Sequence, residues 1–111
     1  MISGVTKTID GEAYTFRMST RAMMAIEDQL EAGIAAVLEG LEKGFTIRKL
    51  VVMLSECAGN GEGKSAEFAQ WAVDTLGLEG AGALLGEIAE AAFPDAKGQP
   101  AKNAKGAARS K

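Results

Sequence analysis

The stretch Phe45–Ala58, Phe-Thr-Ile-Arg-Lys-Leu-Val-Val-Met-Leu-Ser-Glu-Cys-Ala, constrains this chain more than any other. Ile47, Leu50, Val51, Leu54 and Ala58 recur at i, i+3, i+4, i+7 and i+11, the spacing that stacks side chains along one side of an α-helix. Met53 and Cys57 widen that stripe beyond what one neighbour can cover. The helix is therefore expected at the centre of a small bundle, packed on two sides, with the rest of a 111-residue, single-domain chain as its cladding.

Before it, Val5–Ile9 and Glu12–Met18 are short runs rich in β-formers, joined by Asp10-Gly11, the signal for a two-residue type I′ hairpin. That turn sets Ile9 opposite Glu12, Lys7 opposite Tyr14, Val5 opposite Phe16 and Ser3 opposite Met18 on one face, with Thr6 and Thr15 on the other. A lone hairpin is marginal in water, so Val5, Tyr14, Phe16 and Met18 are expected to lie on the helices, with the two strand edges open.

Ser19 or Thr20 can cap a first helix to about Glu31, with Met23, Ile26 and Leu30 inward and Glu27, Asp28 and Glu31 outward; Gly33 ends it. Ile34, Val37, Leu38 and Leu41 mark a second, stopped by Gly44 before Thr46 caps the central one. Gly59–Lys64 reads as a flexible loop, and Ser65 caps a helix carrying Phe68, Trp71, Ala72 and Leu76 that ends at Gly77. Ala81, Leu84, Leu85, Ile88 and Ala92 mark the last, stopped by Pro94. The expected class is mainly α (α+β): a two-stranded antiparallel hairpin on about five short helices, one globular domain over residues 1–94. A disordered basic tail is expected over 95–111, which has no large apolar residue.

Charge is divided along the chain: residues 1–94 hold 7 basic and 14 acidic groups, residues 95–111 hold 5 and 1. An acidic body argues against nucleic acid as partner, because phosphate neutralisation supplies most of that affinity. Cys57 is the only cysteine, so no internal disulfide forms, and the N-terminus lacks a secretory pattern. The longest run of large apolar residues is Leu50–Leu54, far short of a membrane span. A cytoplasmic protein is expected.

Candidate chemistry is sparse. Ala58-Gly-Asn-Gly-Glu-Gly-Lys64-Ser65 approximates a P-loop, but its preceding segment has helical rather than strand periodicity, and Glu62 would place negative charge in the cradle. Histidine is absent, and no Ser or Cys has an evident activating partner, so no catalytic residue, cofactor or metal is expected. Cys57 reads as an inert core thiol, and Glu27 with Glu31 as a solvated surface rather than a cation site. Met18, Met23 and Met24 read as gap-filling core where the hairpin meets the first helix, with an adaptable binding surface as the alternative.

Partner contact is the remaining possibility. Val52 sits alone on the polar arc of the central helix amid Arg48, Lys49, Ser55 and Glu56, and Trp71 falls at the edge of its helix's apolar arc. Arg48, Lys49, Val52 and Trp71 are therefore the candidate partner-binding residues. Each has a plainer reading as solvated surface or core rim. Lys97, Lys102, Lys105, Arg109 and Lys111 read as a solubilising tail or a weak attraction to an acidic partner.

The succession of Asp10-Gly11-Glu12, Tyr14-Thr-Phe-Arg-Met-Ser-Thr-Arg-Ala22, Ile26-Glu27 with Leu30, Gly44-Phe45-Thr46, and Leu50–Leu54 leading to Ala58-Gly59 resembles the small tail-assembly chaperones of gene transfer agents and related long-tailed phages. The likeness runs from about Val5 to Phe93. It implies a non-enzymatic protein that keeps the tape-measure protein soluble while tail-tube subunits assemble around it and is left out of the finished particle, with no active-site residues to carry over. Some relatives are described instead as tail-tube components. In some tail systems a frameshift extends a fraction of the chaperone molecules, for which the basic tail is a natural attachment point. Either a groove taking a helix or a hairpin edge taking a strand, from a partner or a second copy, would serve such a role.

Overall fold

A computed structural model describes residues 1–94. The order is β1 (Gly4–Ile9), β2 (Glu12–Arg17), α1 (Thr20–Leu30), α2 (Ile34–Leu41), α3 (Ile47–Gly61) and α4 (Ala66–Ala92). The expected tail, residues 95–111, lies outside the described residues.

Asp10 and Gly11 both take left-handed backbone, φ 54° and 86°, as a type I′ turn requires. The register follows from the turn: Ile9 pairs with Glu12, Lys7 with Tyr14, Val5 with Phe16 and Thr6 with Thr15. The ladder ends at Gly4–Arg17, one step before the expected Ser3–Met18 pair. Ile9, Phe16 and Met18 are buried on the helices, while the Thr6 and Thr15 hydroxyls meet at 3.2 Å on the wet face.

Ser19, Thr46 and Ser65 cap α1, α3 and α4, each hydroxyl accepting the amide three residues on. α3 is the core helix, against β2, α1 and α4. Leu50, Met53, Leu54 and Cys57 on it are completely buried, in one hydrophobic core with Phe16, Ile26, Ala72, Leu84 and Ile88 among others.

Three neighbours rather than two explain where the helical wheel misleads. Val52, expected to stand alone on a polar face, is only 7% exposed. The polar arc is covered on the side of Val52 towards the C-terminus: Ser55 is buried and donates to the Lys64 carbonyl, and Glu56 accepts from Arg21 and Gln29 of α1. Ile47, by contrast, was expected in the core and is 52% exposed, because the apolar stripe begins one turn before the packed neighbours do. Met24 likewise faces solvent, whereas Met18 is core and Met23 half-buried.

α4 is broken at Gly77, whose φ 80° and ψ 163° interrupt the helical path before it resumes. Gly77 thus separates two helical runs, as expected from the sequence, and α4 is the bent element they make together; the four helical elements hold about five short helices. No helix of the described residues is long and apolar enough to cross a membrane.

Candidate functional site

α2 leaves its neighbours only partly covered. Its N-cap, Gly33, has no side chain to offer, and the first helical amide is satisfied from α1 instead: Glu27 Oε2 accepts the Ile34 N–H at 2.7 Å. Glu27 is therefore half-buried and structural rather than an outward surface charge. Among the described residues no group of three His, Cys, Asp or Glu is placed to hold a metal ion. Val37 anchors α2 in the core, but the backbone of α2 comes close chiefly to that of α1 and stands off from α4.

The space between α2 and the second half of α4 is a groove of about 680 Å³. Ile34, Leu38 and Leu41, at i, i+4 and i+7 of α2, form one wall. Gly82, Gly86, Ala89 and Phe93, at i, i+4, i+7 and i+11 of α4, form the other with Leu85. Phe45 lies against the missing side chain of Gly82, where an added Cβ would stand 2.8 Å from its Cζ. Gly86 has nothing within 4 Å of where its Cβ would be, so the trough stays open there. Among the described residues, the charged ones lining it are Glu39, Glu42 and Glu90. Ala35, Glu39 and the C-cap residue Glu42 form a second row along α2, one position beyond the apolar row, and all three glutamates are exposed.

The glycine-rich segment that interrupts the last turn of α3 and runs on to Lys64 is not the expected flexible loop but a pinned turn. Ala58 is extended, Gly59 and Asn60 are left-handed, and Gly61 has φ 90°. The Gly61 carbonyl accepts from Ser19 Oγ at 2.7 Å and Arg21 Nε at 2.9 Å, and Arg17 Nε reaches both the Asn60 carbonyl and its Oδ1. The Glu62, Gly63 and Lys64 amides are spent on the Gly59, Ala58 and Ser55 carbonyls. Donors that a phosphate cradle would need are thus turned inward, and the Lys64 ammonium lies 5.5 Å from the Phe68 ring centroid.

The four sequence-derived contact residues do not converge. Arg48 is exposed at the start of α3, Lys49 is half-buried beside it, and Val52 is buried. Trp71 joins a different cluster, with ring centroids 5.9 Å from Tyr14 and 5.7 Å from Phe68, against the hairpin. None of the four lines the groove. Periodicity marks the apolar groove residues as ordinary core stripes; the one sequence sign of the groove is the pair Gly82 and Gly86, spaced by one turn inside a helix that gains nothing from them.

Burial places the Cys57 thiol out of reach of solvent and pushes its pKa up to about 12, with Glu56 adding to that and Arg21 opposing it. Comparison with protein-family models, with curated proteins and with solved structures finds no match for this chain.

Proposed function

We propose that this protein is a non-enzymatic tail-assembly chaperone of a phage-like, gene transfer agent tail, acting in the cytoplasm of a bacterial host and left out of the finished particle. Its partner is the tape-measure protein, a long, largely helical, amphipathic chain that aggregates unless its apolar face is covered. The observation that carries the reading is the groove between α2 and α4, whose two apolar walls repeat at helical spacing and leave a trough without a side chain at Gly86. Such a surface suits helix-in-groove contact.

Co-expression with a tape-measure protein from the same tail gene cluster tests the proposal. Capture of the tape measure, with its solubility dependent on this chain, supports the reading; a tape measure that is soluble alone and never co-purifies overturns it.

The second reading is a structural component of the tail tube or its junctions. It is favoured by the hairpin, whose two outer edges pair with no other strand among the described residues and are open to strand addition. Stoichiometric recovery of this chain from purified particles by mass spectrometry would select it over the chaperone.

A further inference from the structure

Resting on the chaperone reading, we infer that the α2–α4 groove selects amphipathic helices of another protein whose apolar stripe is flanked by Lys or Arg. The apolar walls set the first requirement, a stripe at i, i+3 or i+4, and i+7 that can lie between Ile34, Leu38 and Leu41 on one side and Gly86, Ala89 and Phe93 on the other. The rim sets the second. Among the described residues, every charged residue lining the groove is a glutamate, Glu39 on α2, Glu42 at its C-cap and Glu90 on α4, so a helix lying in it brings the flanks of its stripe against negative charge from both walls.

Complementarity also argues against two other occupants. A second copy docking groove to groove would oppose the same three glutamates to themselves. The chain's own residues 95–111 are basic but contain no large apolar side chain to fill a trough of about 680 Å³.

The test uses the full chain and two synthetic amphipathic peptides with the same leucine stripe, one flanked by lysines and one by glutamates. Fluorescence anisotropy should give the lysine-flanked peptide at least about tenfold tighter binding in low salt, with the preference shrinking as salt screens the rim. Gly86→Leu, which fills open space, should abolish binding of both. The Glu39→Lys, Glu42→Lys, Glu90→Lys triple variant alters exposed positions and should invert the preference.

Equal affinity for both peptides, or binding that survives Gly86→Leu, overturns the inference. So does a dimer by sedimentation that Gly86→Leu dissociates. Gly82 and Gly86 amide shifts that move with salt, without peptide and independently of concentration, would place the chain's own basic residues in the groove and overturn it too. Tape-measure capture that Gly86→Leu leaves intact removes the groove while leaving the chaperone reading standing; loss of capture by the unmodified chain removes both.

Discussion

The Ser19 hydroxyl accepts the Ala22 amide at 3.1 Å and donates to the Gly61 carbonyl at 2.7 Å, so one side chain both caps α1 and ties it to the turn that ends α3. The hairpin exit, the first helix and the core helix meet at this point, with Arg17 and Arg21 adding bonds to Asn60 and Gly61.

Ser19→Ala should therefore lower stability by more than an ordinary cap loss, about 1–3 kcal/mol, because the buried Gly61 carbonyl also loses a partner. Gly61→Ala should cost at least as much. Its φ of 90° strains any side chain, and the new Cβ would stand 2.6 Å from Ser19 Oγ. Urea titration of both variants measures this, and a change below about 0.5 kcal/mol in either would show that the turn is not held as described.

Gly86 and Gly77 form a matched pair, since a Cβ at either meets nothing within 4 Å. Gly86 is helical, so Gly86→Ala should stabilise by about 0.5–1 kcal/mol through the unfolded chain's lost freedom. Gly77 holds φ 80° and ψ 163°, a region closed to other residues, so Gly77→Ala should destabilise by about 1–3 kcal/mol. Thermal melts should move in opposite directions, by several degrees per kcal/mol for a domain of this size.

Glu27 holds the start of α2 through the Ile34 amide. Glu27→Ala should fray that helix, with accelerated amide exchange confined at first to residues 34–38 and a loss of about 0.5–2 kcal/mol. Because Ile34 and Leu38 are groove walls, peptide affinity should fall with it.

Cys57 gives the fold an alkaline limit. Its thiol is held neutral up to about pH 12 when folded, against a value near 9 for the unfolded chain. The folded state therefore binds the proton more tightly; the contribution is complete below about pH 9 and is lost as pH rises towards 12. Tyr14, raised by desolvation and by Glu12, acts in the same direction, so the Cys57 share is read as a difference. Cys57→Ala should flatten the fall in stability above pH 9, and native Cys57 should react with thiol reagents only on unfolding. Rapid labelling of the folded protein would contradict the burial.

What could be read in the residues was local. Asp10-Gly11 dictates the hairpin register because the turn itself fixes which residues face each other, and Ser19, Thr46 and Ser65 announce helix starts because the cap is made within three residues. What could not be read depended on partners distant in sequence. A wheel places Val52 on a polar arc, but whether that arc faces water is decided by Arg21, Gln29 and Lys64, which bring their own hydrogen bonds to it. The Gly59–Lys64 turn reads as loose until Arg17, Ser19 and Arg21 are seen to hold its carbonyls. The groove is a shortage of packing between two stripes that each look like ordinary core, and periodicity within one helix carries no record of how far away the next one stands.

The central claim is that the partner lies between α2 and α4. Hydrogen–deuterium exchange of this protein alone and in its co-purified complex with the tape measure tests it most directly. The account predicts new protection over residues 34–45 and 82–93, with the hairpin edges and the turn at residues 58–64 unchanged. Protection confined to β1 or β2, with 34–45 and 82–93 exchanging as in the free protein, would contradict it.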